Sequence, residues 1–182
     1  LSGAPQYDFV FFPLRAYHLR ECIPVARQLE KQGCKTAIID SDEFRKGNEE
    51  VRKTAAEIGQ PLISLEDFST AGSGARVVVF LNDWDPLMRV ISKRCHELGV
   101  ITVGWVEGVN DYHDVDTGRR RYAYLRSQHV ITPGEFDTKY FDDPRQEIHS
   151  GEVVRIRTLW KNRQTERHIG EPPRALINSN FS

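Results

Sequence analysis

The sequence predicts an α/β domain, a Rossmann-like three-layer sandwich with a parallel sheet covered by helices on both faces. Short continuous apolar runs, typical of strands buried on both faces, alternate with segments whose apolar residues recur at helical spacing. The clearest apolar runs are "YDFVFFP" at 7–13 and "ARVVVFLND" at 75–83. The chain has 182 residues, of which 39% are hydrophobic and 28% charged, which suits a folded globular domain.

The first half of the chain is predicted to alternate between strands and helices, in the order strand 7–13, helix 19–33, strand 35–40, helix 49–59 and strand 61–65. Gly33 and Gly59 follow the two helices, as glycine commonly does at a helix end. Pro24 is expected within the first turn or two of its helix, because a proline deeper inside would bend it.

The second half continues the alternation, in the order strand 75–83, helix 85–99, strand 100–108, helix 117–128, strand 129–134, short helix 136–142 and strand 147–151. Pro86 near the start and Gly99 just after the end frame the helix at 85–99. Short connections between alternating elements favour a parallel sheet of about six or seven strands, with 75–83 and 100–108 adjacent and central.

We expect residues 1–170 to form one domain. The "EPP" at 171–173 is typical of a linker, and "RALINSNFS" then begins a new strand-like run. Residues 171–182 are therefore expected to be a linker and the first strand of a second domain.

Composition argues against several function classes. A net charge of −1 provides no basic excess for nonspecific nucleic-acid binding. No apolar run approaches the roughly 18 residues of a membrane span, and no signal peptide opens the chain. The three cysteines show no metal-ligand spacing and are expected to be reduced thiols. These features predict a cytoplasmic protein, with a peripheral position at the inner face of the membrane as the alternative.

Polar side chains cluster directly after the predicted strands. They include Arg15, Tyr17 and His18, then Asn82, Asp83 and Trp84, then Glu107, Asn110, Asp111 and His113, and finally Gly134 and Glu135. Parallel sheets bind ligands outside the carboxyl ends of their strands, so these residues are expected to converge on one edge. Their carboxylates, imidazoles and guanidinium could carry out acid/base chemistry on a polar, anionic ligand. Arg119 opens a three-arginine run that is either a solvated face or a further anion contact.

Each of the strongest candidates also has a structural interpretation. Asp83 could cap the helix that begins near Pro86, a role for which Asp85 also competes. His18 could be a loop residue near a helix N-terminus. Glu107 could form a hydrogen bond that braces the turn at Gly108.

Several nucleotide and hydrolase motifs are missing from the sequence. No GxGxxG, Walker loop or GxSxG elbow is present, and the "GSG" at 72–74 precedes a strand instead of following one.

The stretch "FVFFPLRAYHLRECIPVARQLEKQGCKTAIID" resembles the opening strand–loop–helix–strand of glycosyltransferases with the two-domain GT-B fold. Pro24, Ala26, Leu29 and Gly33 stand at the places of the family's P-x-A-x-x-L-x-x-x-G helix. "WVEGVND" is similar to the H-V-E-A-G loop of UDP-N-acetylglucosamine 2-epimerases, which share the fold, although Trp105 replaces the histidine. "HVITPGEFDTKYF" resembles the strand–helix that follows in both families.

The resemblance implies an acceptor-binding half whose donor-binding half would follow residue 182, so that this chain alone would be inactive. Nucleotide-sugar and a sugar or small-molecule acceptor are the implied partners, with Asp83, Glu107 or His18 deprotonating the acceptor hydroxyl. Arg15 and Arg119 would hold negative charge, and neither a metal nor another cofactor is expected. The alternatives are a sugar epimerase in which Glu107 abstracts a proton, or a non-catalytic flavodoxin-like binding domain.

Overall fold

The structure, a computed structural model, describes residues 6–44, 47, 49–70, 74–83, 85–107, 111–114 and 116–151. The strands are β1 (Tyr7–Phe12), β2 (Thr36–Ile38), β3 (Ala75–Phe80), β4 (Ile101–Trp105), β5 (His129–Thr132) and β6 (Glu147–Ser150). The α-helices are α1 (Ala16–Lys31), α2 (Glu50–Ile58), α3 (Leu65–Thr70) and α4 (Pro86–Glu97), with short 3-10 helices at Ser41–Phe44 and Glu135–Tyr140. Residues 171–182, the predicted linker and second domain, lie outside the described residues.

All six strands are parallel and lie in the order β2-β1-β3-β4-β5-β6, which confirms the predicted fold class. β3 and β4 are adjacent and central, as the sequence predicts. The predicted strand at 61–65 is reduced to one parallel bridge between Ile63 and Ile39, followed by α3. That bridge places a rudimentary strand beside β2, which extends the order to that of a Rossmann sheet.

The two faces of the sheet are covered by different helices. On one face, α1 and α2 pack buried residues such as Leu19 and Val51 against Phe11 of β1. On the other face, α4 packs Met88 and its neighbours against Phe80 of β3, with α3 beside it. From β1 the chain crosses to β2 on one side of it, and from β3 it crosses to β4 on the other side. Because both crossovers are right-handed, their helices lie on opposite faces of the sheet. The crevice between the carboxyl ends of β1 and β3 is therefore the switch point of the sheet.

Two helix predictions need correction. α1 begins three residues earlier than expected, so Pro24 lies in its interior and not in its first two turns. Pro24 is exposed, and it cannot donate a backbone hydrogen bond to the carbonyl of Arg20. Among the described residues, no helix spans the predicted 117–128, which forms turns instead.

The described residues at 111–114 and 116–125 are held by tertiary hydrogen bonds in place of a helical ladder. Tyr122 and Tyr124 have φ values of 53° and 58°, in the left-handed region that a right-handed helix excludes. The fully buried Tyr124 side chain lies against Gly104 of β4, on the face that Phe80 and Val130 share with Gly104 through strand pairing. This segment thus covers β4 and β5 where a helix would otherwise pack.

No helix among the described stretches of the chain has the length and apolar character that crossing a membrane requires.

Gly104→Ala is expected to destabilise the fold, because a Cβ at this position would lie 2.7 Å from Cγ of Tyr124. Overpacking of this kind costs about 1–3 kcal/mol. Urea unfolding of the variant measures the loss. Gly134→Ala is the matched control, since no atom lies within 4 Å of a Cβ there and its φ of −175° is extended backbone. Equal stability of the two variants would contradict the tight Gly104–Tyr124 packing.

Candidate functional site

His18 and Glu107 form a buried pair at the carboxyl edge of the sheet. His18 lies in the first turn of α1, directly after the β1 loop, and is fully buried. Its Nε2 faces Oε1 of Glu107, which follows β4. Its Nδ1 accepts a hydrogen bond of 2.9 Å from the backbone N–H of Leu14. Because Nδ1 is an acceptor, the ring proton lies on Nε2 and is directed at Glu107.

Tyr17 completes the outer side of this pair. Tyr17 is 42% exposed, and its ring meets the His18 ring edge-on, with 4.4 Å between centroids. Burial, together with the negative charge of Glu107 and a hydrogen bond to it, raises the pKa of the Tyr17 hydroxyl. Glu107 therefore has an imidazole on its inner side and a phenol toward the surface, and its own side chain stays 17% exposed.

A second group of polar contacts continues from the backbone of Glu107. Its N–H donates to Oδ2 of Asp111 at 2.8 Å, and the Tyr124 hydroxyl donates to the same carboxylate at 3.1 Å. The Tyr124 hydroxyl also lies 2.9 Å from the carbonyl oxygen of Trp105. Burial raises the pKa of this phenol, so it remains a hydrogen-bond donor. Asp111, itself buried, is thereby tied to the backbone of Glu107.

Asp83 anchors the other end of the same segment. It is buried after β3, and its Oδ1 accepts a hydrogen bond from the backbone N–H of Tyr124. It caps no described helix, since the cap of α4 is Asp85, whose Oδ1 accepts from the backbone N–H of Leu87 at 2.9 Å. Burial raises the pKa of Asp83 to about 6, against smaller opposing effects of the Tyr124 amide and of Arg89 and Arg126.

The predicted convergence thus holds for one set of candidates: His18, Glu107, Asp111 and Asp83 are connected through Tyr17 and Tyr124. Asn82 lies next to them, half-buried, and its Oδ1 has no hydrogen-bond partner among the described residues. Sequence reasoning placed Tyr17 beside Arg15 and His18 after the first strand without assigning it a role, and it missed Tyr124. The role of Tyr124 was hidden by the helix prediction.

Other predicted residues lie apart from this group. Arg15 is exposed and pairs with Glu50 of α2 at 3.0 Å, so its charge is already partly neutralised. His113 is exposed, and its ring centroid lies 6.0 Å from that of Tyr140.

Of the remaining candidates, Arg119 is exposed in the turn that Thr117 shapes. Glu135 begins the 3-10 helix after β5 and is exposed, and Gly134 precedes it in extended conformation. Trp84 and Asn110 fall outside the described residues.

No match to this chain was found among protein-family models, curated proteins or solved structures.

The stability of the protein is expected to fall as pH rises from about 4 to about 6 through the titration of Asp83. The folded chain retains the Asp83 proton up to a pKa of about 6, whereas the unfolded chain loses it near 3.8. Between these two pKa values the native state binds more protons than the unfolded state. Raising the pH through this window therefore lowers the unfolding free energy by about 2–3 kcal/mol. Urea unfolding at several pH values measures this loss.

Asp83→Asn is expected to remove that decline while retaining an acceptor for the Tyr124 amide. Asp143→Asn is the control, because Arg145 holds the pKa of Asp143 at about 2, outside the window. Parallel stability curves for wild type and Asp83→Asn between pH 4 and pH 6 would contradict the raised pKa.

Proposed function

We propose that the chain is the acceptor-side domain of a GT-B glycosyltransferase that transfers a sugar from a nucleotide-sugar to a polysaccharide or small acceptor. The observation that carries the proposal is the Glu107 carboxylate at the carboxyl edge, next to the switch point and held by His18 and Tyr17. This is where parallel α/β sheets bind ligands. The sequence resemblance supports the same assignment and adds a cytoplasmic location or a peripheral position at the inner face of the membrane.

Glu107 is the group that removes the acceptor proton in this proposal. The acceptor oxygen then bonds to the anomeric carbon of the donor as the nucleoside diphosphate departs, and Glu107 holds the proton. His18 acts through Glu107 and does not itself take the proton, because both of its ring nitrogens are engaged, one by Leu14 and one by Glu107. It is a positioning residue that fixes one carboxylate oxygen.

Asn82 supplies a second contact for the acceptor. Its Oδ1 is buried at the end of β3 without a partner among the described residues, and a buried acceptor of this kind is costly until a donor reaches it. A sugar hydroxyl is such a donor. Arg15 and Arg119 are both exposed, and the proposal assigns them to negative charge on the donor.

The proposal is tested with the full-length protein, a panel of nucleotide-sugars and candidate acceptors. Release of nucleoside diphosphate that depends on an acceptor supports transfer. Interconversion of the nucleotide-sugar without an acceptor would identify a sugar epimerase instead, with Glu107 abstracting a carbon-bound proton. Absence of both activities, together with saturable binding of a sugar, would leave a binding domain.

Glu107→Gln is expected to lower kcat by about 10²–10⁴-fold, the usual contribution of a general base, with little change in KM. The melting temperature should change little, because the loss of rate comes from the missing base and not from unfolding. Glu97→Gln is the control, since Glu97 is a surface carboxylate of α4 paired with Lys93 and Arg94, away from the site. If turnover of Glu107→Gln declines only with the fraction of unfolded protein, Glu107 is a structural brace and not the base.

A further inference from the structure

Three metal-ligating side chains meet on the outer strands of the sheet, away from the site above. His129 begins β5, and Glu147 and His149 lie on β6. Strand pairing sets His129 opposite Glu147 and Ile131 opposite His149. Because side chains alternate between faces along a strand, all three project from the same face of the sheet.

This cluster is separate from the Glu107 site. Val130 and Gly104 are cross-strand partners and share the face that carries Tyr124, so the neighbouring His129 projects from the opposite face. His129 and Glu147 are also the first residues of their strands, whereas the Glu107 site lies beyond the carboxyl ends.

The separations of the ligating atoms suit a single ion. His129 Nδ1 lies 3.2 Å from His149 Nε2, and the Glu147 carboxylate oxygens lie 3.5 Å from the first nitrogen and 3.6 Å from the second. Tetrahedral zinc with bonds of about 2.0–2.1 Å sets its ligand atoms about 3.3 Å apart. One oxygen of the Glu147 carboxylate faces each imidazole, so either oxygen can serve as the third ligand of the ion.

We propose that His129, Glu147 and His149 form a binding site for a zinc ion. Two imidazoles and one carboxylate are ligands that Zn²⁺ accepts, and three protein ligands leave one position for water or another ligand. The ion would cross-link β6, the edge strand, to β5. No ligand spacing in the sequence points to this site, because His129 is distant along the chain from the other two ligands.

The alternative explanation of the same geometry is a hydrogen bond between the His129 and His149 rings, whose nitrogens are 3.2 Å apart. A bound metal ion would take the place of the proton in that hydrogen bond. The two accounts therefore differ in whether zinc binds at all, and in whether its binding requires all three side chains.

The test is calorimetric titration of the chain with zinc chloride, followed by cobalt chloride as a spectroscopic probe. Wild type is expected to bind one equivalent of Zn²⁺, to melt at a higher temperature with it, and to give the visible bands of four-coordinate Co²⁺. His129→Gln and His149→Gln are expected to weaken zinc binding by at least about 100-fold, since loss of a direct ligand exceeds the 10–100-fold cost of losing an outer partner.

His113→Gln is the matched control, because His113 is an exposed histidine outside the cluster and its loss should leave zinc affinity unchanged. Circular dichroism confirms folding of each variant. Glu147→Gln tests the third ligand. The Glu147 side chain is 67% exposed, so its replacement leaves the core intact, and it too should weaken zinc binding.

The proposal is overturned if wild type shows no heat and no melting shift with excess Zn²⁺. It is equally overturned if zinc affinity survives in His129→Gln, His149→Gln and Glu147→Gln, because the ion would then lie elsewhere.

Discussion

The burial of Tyr124 is the constraint on which the candidate site depends. Its ring fills the space that Gly104 leaves open, and its polar atoms then need partners inside the protein. Asp83 accepts from its amide, while Trp105 and Asp111 accept from its hydroxyl. The backbone and the side chain of this one residue therefore join the ends of β3 and β4 to the segment that covers β4 and β5.

The same constraint reaches Glu107 through the backbone. Asp111 is held by the Tyr124 hydroxyl, and it accepts from the Glu107 amide, so the backbone at Glu107 is tied to Tyr124 through one carboxylate. From the other side, His18 is fixed by the Leu14 amide and presents Nε2 to the carboxylate. A carboxylate braced from both sides would lose little entropy on binding a ligand, which suits the role proposed for Glu107.

Sequence alone predicted the sheet well because burial on both faces leaves a strong local signal, as in the apolar runs of β1 and β3. It also predicted the convergence of His18, Asp83, Glu107 and Asp111, because topology decides which strand ends meet. It failed at 117–128, where helical propensity is outweighed by tertiary bonds to Tyr124 that no local pattern encodes. The contact of His129 with His149 escaped for a similar reason, since it depends on strand register and not on spacing.

The hydrogen bonds of Asp83, Asp111 and Glu107 explain why Glu107 is the carboxylate proposed as the base. Asp83 is buried, and its acceptor capacity is used by a backbone amide. Asp111 is also buried, and it receives an amide and a phenol. Both carboxylates are held by hydrogen bonds within the protein, and exposing either to a ligand would require breaking those bonds. Glu107 alone of the three keeps a partly exposed side chain, at the point where Tyr17 opens to the surface. Because a base must reach its substrate, accessibility and not acidity is what makes Glu107 the proposed base.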